Sequence, residues 1–87
     1  QARLSDMRIV VHKSASLAAQ NFMISMSEIG YDTCPMEGCD TLRVKHIVGI
    51  PKTAEINMII SCGKRDDKGI YGERFRVPFG DVYHVID

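Results

Sequence analysis

The sequence carries no net charge, with eleven lysines and arginines against eleven aspartates and glutamates in 87 residues. It therefore advertises no basic surface of the kind that holds nucleic acid or another polyanion. It also has no uninterrupted apolar run approaching the ~20 residues of a bilayer-crossing helix. Its first residues lack the charged, apolar and small-residue segments of a secretory signal. These absences point to a cytoplasmic protein with no nucleic-acid and no membrane partner. Cysteine is scarce and odd in number: Cys34, Cys39 and Cys62. Without a secretory signal, an odd count argues against a disulfide scaffold and for reduced thiols that pack as small apolar groups. No internal repeat or low-complexity segment is present.

The apolar share of 45% is ordinary for a globular chain and too high for a disordered one. One domain over residues 1–87 is expected, and a second is excluded by length. At this size folding hides only roughly 60–65% of the surface of the extended chain, so stability should be thin. The chain opens on Gln1 and runs almost at once into a helical pattern, with no early strand to pair with a later one. It reads as a fragment.

From Ser14 to Ile29 the residues Ala15, Ala19, Phe22, Met26 and Ile29 recur at steps of four and three, which puts them on one helical face. Leu17, Met23 and Ile24 add apolar surface elsewhere, so this helix needs partners on most sides. Ser14 or Ser16 is the expected cap, and Gly30 the stop. Arg8–His12, with three β-branched residues in a row, fits either a short strand or an earlier start of the helix, the strand being favoured. A second helix is predicted over Thr41–Val48, capped by Asp40, ended by Gly49 and barred by Pro51, with Val44, Ile47 and Val48 facing inward. Glu55–Cys62 alternates with period two, and Ile59 breaks the polar face, so an inner strand is predicted there. Residues 63–72, GKRDDKGIYG, should be an exposed loop. Past Pro78 the tail suits a turn of helix and then a short strand.

Cys34, Cys39, His46 and Cys62 are the right residue types for zinc, but they supply only one close cysteine pair, and Cys62 is expected to face the core; no metal site is predicted. A nucleophilic Cys34 or Cys39 with His46 as base lacks any orienting or oxyanion-stabilising neighbour. His12 and His84 are expected to be hydrogen-bonded structural residues. Met7, Met23, Met26 and Met58 need no role beyond gap filling.

Three stretches carry a resemblance: LAAQNFMISMSEIGYDTCPMEGCD, then LRVKHIVGIPKTAEINMIISCGKR, then ERFRVPFGDV. In order, spacing and residue type they resemble the C-terminal half of nitroreductase-family flavoproteins, over about residues 10–87. That family has an alanine-rich helix ending at a glycine, a Pro-aliphatic-Glu-Gly loop passing the flavin, a short helix ending in Gly-Ile-Pro, and a strand. Pro35-Met36-Glu37-Gly38, between this helix and this GIP-ended helix, is the most specific element. Cys39 departs from the larger residue common after the Glu-Gly, which bears on the wall of the site and on substrate choice.

The resemblance implies an α+β fold, a sheet sandwiched by helices, of which this chain supplies two helices and one inner strand. Missing N-terminal residues or another chain would complete it. It implies FMN as cofactor and NAD(P)H as electron donor, with a nitroaromatic or quinone-like acceptor and a homodimer partner. The Glu37 and Gly38 amides would face the flavin N5 edge, with Pro35 and Met36 over one ring face. Arg74 and Arg76, on one side of an extended segment, would reach the phosphate. No acid, base or nucleophile is implied, since the flavin carries the chemistry. The competing reading is a non-catalytic fragment that folds only with a partner chain.

Overall fold

The structure, a computed structural model, describes residues 3–70 and 72–87. Gln1 and Ala2 lie outside the described residues, as does Tyr71 of the expected 63–72 loop.

One long helix, α1, runs over Leu4–Glu28. Its start is set by Asp6, whose carboxylate accepts from the Arg3 N–H at 3.2 Å and places negative charge in the first turn, where the helix dipole favours it. The β-branched run Ile9–Val11 lies inside the helix, not in a strand. Local strand propensity is a weak preference, and continuation of an already formed helix overrides it. Ser14 and Ser16 are accordingly interior residues and not caps. The Ser16 hydroxyl instead donates to the His12 carbonyl one turn back, at 2.8 Å. The stop is the expected one: Gly30 has φ +89°, its N–H donates to Ser27 O at 3.1 Å, and the Tyr31 N–H donates to Met26 O at 2.9 Å. These paired bonds satisfy carbonyls that the helix end would otherwise leave open.

Strand β1 follows at Asp32–Met36 and pairs antiparallel with β2, Ile59–Gly63, in a register running from Asp32 opposite Gly63 to Met36 opposite Ile59. The described residues thus form two strands where one was expected. The alternation predicted from Glu55 forms its ladder only from Ile59, and among the described residues β2 pairs with β1 alone. Helix α2 occupies Thr41–Val48 as predicted: Asp40 Oδ1 accepts from the Arg43 N–H at 3.2 Å, and Gly49 adopts φ +81°. Its expected inward face is not found. Val44 is half-buried, but Ile47 and Val48 are exposed. A 3-10 turn at Asp67–Gly69 interrupts the expected loop, and a single helical turn, α3, spans Phe79–Val82. Phe79 and Tyr83 stack with ring centroids 4.7 Å apart. No strand forms after it over residues 83–87.

None of the described residues is buried. The accessible surface is 8175 Å², against roughly 5,100 Å² for a compact chain of this mass. The radius of gyration is 17.0 Å, against about 12 Å for a compact chain of this length. Helix α1 shows why. Its half-buried face is His12, Ser16, Ala19, Met23 and Met26, again at steps of four and three. The predicted stripe shares only Ala19 and Met26 with this face, and Ala15, Phe22 and Ile29 are exposed. What this chain provides for α1 to pack against is β1 and the stretch before β2, so the rest of its apolar surface has no neighbour among the described residues. No described helix is long and apolar enough to cross a membrane.

Candidate functional site

The segment Pro35–Gly38 sits where the ladder ends. Pro35 lies opposite Ile60 and Met36 opposite Ile59, so half of the expected loop is strand. Pro35 can stand there because a proline at a sheet edge or in a non-hydrogen-bonded pair costs the ladder no donor. Glu37 and Gly38 then leave the sheet, and the Cys39 N–H donates to Glu37 O at 3.0 Å, closing a three-residue turn about Gly38. Asp40 caps α2 immediately afterwards. A ladder on one side and a capped helix on the other therefore fix the turn.

The turn leaves two successive backbone donors free. The ladder stops at Met36, and neither the Glu37 nor the Gly38 N–H has an acceptor among the described residues. A Cβ built on Gly38 would meet no atom within 4 Å, so the space above the turn is open. Two adjacent amides beside open space, with the exposed side chains of Pro35 and Met36 next to them, form a donor edge with an apolar shelf. That combination suits a planar ring bearing electron-rich edge atoms.

Arg74 and Arg76 lie in an irregular segment before α3, and both are exposed. Arg76 Nη1 donates to the neighbouring Phe75 carbonyl at 3.1 Å. No hydrogen bond or ion pair joins either arginine to residues 35–38 among the described residues. The Pro35–Gly38 segment thus stands together as one unit, and among the described residues no hydrogen bond ties the arginine pair to it.

The opposite end of the ladder is held by charge. Arg65 Nη2 lies 3.2 Å from Asp32 Oδ1, while its Nε and its backbone N–H each lie 3.3 Å from Oδ2. The hydrogen bond from Arg65 holds the Asp32 carboxyl below the usual carboxylate range, and the same bond raises the guanidinium. Lys64 Nζ donates to Gly30 O at 3.0 Å and lies 4.6 Å from the centre of the Tyr31 ring. The residues just past β2 therefore grip both the end of α1 and the start of β1. A cleft of about 550 Å³ lies beside this grip, lined among others by Cys34 and Cys62. Cys62, expected in the core, is exposed. Thr33 faces Cys62 across the ladder and Cys34 faces Ser61, so successive residues point the two thiols to opposite faces of the sheet.

A second seam joins α1 to the stretch before β2. Arg8 Nε lies 2.6 and 2.8 Å from the two Glu55 oxygens, and His12 Nε2 lies 3.4 Å from Oε1. Hydrogen bonds from Arg8 first and His12 second keep the Glu55 carboxyl low. Asn57 Nδ2 lies 3.1 Å from the His12 carbonyl, 3.1 Å from His12 Nδ1 and 3.2 Å from Ser16 Oγ. His12 is hydrogen-bonded, as expected of it. Neither seam was predicted. Their partners lie far apart in the sequence, and no local spacing rule reaches that far.

The family model described as the nitroreductase family matches residues 2–64, which include Pro35–Gly38 and stop short of Arg74 and Arg76. The protein named NAD(P)H nitroreductase MhqN of Bacillus subtilis is 39% identical over 69 residues, covering 79% of this chain and 34% of that protein. Protein DrgA of a Synechocystis species is 36% identical over 74 residues, covering 80% of this chain and 35% of the relative. A crystal structure from Staphylococcus epidermidis, named as an NAD(P)H:FMN oxidoreductase, superposes with a TM-score of 0.84 at 25% identity. It covers 99% of this chain and 40% of its own. The chain thus spans about a third of the length of the curated relatives it matches.

Proposed function

The chain belongs to the nitroreductase family and has a partial nitroreductase fold, and from that premise we propose that it is the C-terminal part of an FMN-dependent oxidoreductase. In the complete protein electrons pass from NAD(P)H through the flavin to a nitroaromatic or quinone-like acceptor. The observation that carries this reading is the pair of amides at Glu37 and Gly38, without a partner among the described residues and fixed at the end of a ladder beside open space.

When bound, FMN supplies the two-electron chemistry, and the residues of this chain position it. The Glu37 and Gly38 N–H groups would donate to the edge of the flavin ring, and donors there would favour its reduced form. Pro35 and Met36 cover one ring face and keep water from it. Gly38 lets the ring approach the backbone, since a side chain there would occupy the space the ring needs. Arg74 and Arg76 bind the phosphate through charge-assisted hydrogen bonds. No side chain of this chain needs to act as acid, base or nucleophile.

The absence of any buried residue among the described ones supports a homodimer partner and a further part of the chain as neighbours of α1. It equally favours the second reading, a non-catalytic piece that is ordered only by a partner. One experiment separates the two. The complete protein is purified, its visible absorbance recorded, and NADH or NADPH added. A flavin spectrum that bleaches on reduction and returns in air with an acceptor is expected. A protein that stays colourless after incubation with FMN overturns the enzymatic reading.

A further inference from the structure

The seam between α1 and the start of β2 contains a histidine whose neutral tautomer its neighbours dictate. Asn57 Nδ2 lies 3.1 Å from the His12 carbonyl, and a carbonyl can only accept. It also lies 3.2 Å from Ser16 Oγ; that hydroxyl has the His12 carbonyl at 2.8 Å and Asn57 Oδ1 at 3.5 Å as acceptors, and the shorter contact to the carbonyl leaves its oxygen to accept from Asn57. The Asn57 side chain therefore turns its NH₂ group, and not its oxygen, toward α1. His12 Nδ1 faces that NH₂ at 3.1 Å and shares its two hydrogens with the His12 carbonyl and Ser16 Oγ; an NH₂ nitrogen accepts nothing, so Nδ1 carries no hydrogen, which leaves the ring hydrogen on Nε2, the nitrogen facing Glu55 Oε1 at 3.4 Å.

We propose that His12 is a proton-controlled contact between α1 and the segment leading into β2: neutral, it holds Asn57; protonated, it releases Asn57 and holds Glu55 alone. A proton on Nδ1 sets two donors face to face at 3.1 Å. Turning the Asn57 amide over does not cure this, because its oxygen would then oppose the His12 carbonyl at the same distance. Asn57 must withdraw. Meanwhile the imidazolium gains a charge-assisted bond to Glu55, which Arg8 keeps ionised. Among the described residues the charged groups around His12 are Arg8 and Glu55, which line the 340 Å³ cleft beside the ring, and Lys13 of α1, which lines a second cleft with it. Asn57 lies two residues before Ile59, the partner of Met36, so its release loosens the end of β2 that backs the Pro35–Gly38 turn.

The test is a nitrogen-15 NMR titration of the complete protein, read at the His12 ring nitrogens and the Asn57 side-chain amide from pH 8 to pH 5. At pH 8 the His12 ring should show the Nε2–H tautomer, with Asn57 NH₂ protons protected from exchange with water. As pH falls, loss of that protection should follow the same midpoint as protonation of His12. In His12→Leu the Asn57 signals should not change over this range. An Nδ1–H tautomer at pH 8, a His12 that stays neutral to pH 5, or an Asn57 amide that stays protected while His12 titrates would each overturn the proposal. If His12→Leu does not fold, the tautomer and the shared midpoint in the unaltered protein decide it. None of these readouts depends on flavin.

Discussion

Arg65 holds Asp32 through three contacts, two from its guanidinium and one from its own backbone N–H, at 3.2 to 3.3 Å. The pair closes the ladder at Asp32–Gly63, the end opposite to the proposed flavin edge. Its pH dependence follows from sign. The Asp32 carboxyl, and Glu55 in the other seam, have lowered pKa values in the folded state. Their stabilisation is thus fully present above the unfolded value near 4 and is lost as pH falls through the lower folded values. Urea midpoints of the complete protein should drop on this acid limb, and Asp32→Asn should flatten part of it. Both groups are solvent-exposed, so added salt should shrink the effect. An acid limb identical in Asp32→Asn would contradict this assignment.

Asp40→Ala removes the acceptor for the Arg43 N–H at the start of α2. The expected loss is about 1 kcal/mol, typical of an N-cap. Equilibrium denaturation measures it, and Asp40→Ser should recover most of it.

Gly30→Ala forces a Cβ into a residue with φ +89° at the end of α1. Space is not the obstacle, since the nearest atom, Lys64 Nζ, lies at an ordinary 3.6 Å. Backbone strain is, and it should cost roughly 1 kcal/mol. Gly38→Ala has neither obstacle, because the Cβ enters open space.

Gly38→Ala should therefore leave the denaturation midpoint unchanged while weakening FMN binding, on the order of tenfold for ~1.4 kcal/mol of lost approach. Fluorescence titration of the apoprotein with FMN reads this. Arg74→Gln and Arg76→Gln should weaken FMN without weakening riboflavin, which lacks the phosphate. Equal losses for both ligands would remove the arginines from the phosphate site.

The sequence was most legible where it is punctuated. Asp40, Gly49 and Pro51 bracket α2 so tightly that its limits could be read directly, and Gly30 marked the end of α1. The start of α1 was hidden because Ile9, Val10 and Val11 favour a strand and the residue that closes the first turn is Asp6, well upstream of the serines that look like caps. Strand β1 was hidden by its own proline and by the motif inside it, both of which suggest a loop. The tetrapeptide Pro35–Gly38 was readable as a unit, whereas the geometry that frees its amides depends on Ile59 and Ile60, more than twenty residues later. Inward faces were misjudged for Ile47, Val48 and Cys62 because period alone says which residues share a side, not whether anything lies opposite.

The ties between distant parts of the chain share a boundary. Arg8 with Glu55, His12 and Ser16 with Asn57, Gly30 with Lys64, and Asp32 with Arg65 all close within residues 8–65. Past that point the described hydrogen bonds are local: Asp66 with Lys68, Arg76 with its neighbour, and the turn of α3. A protease cutting between Gly69 and Glu73 would therefore sever none of these ties among the described residues, and the two fragments should separate without unfolding the first. The first would keep the proposed ring-binding turn and the second the proposed phosphate-binding arginines. A single nick would convert one cofactor site into two half-sites of different chemistry.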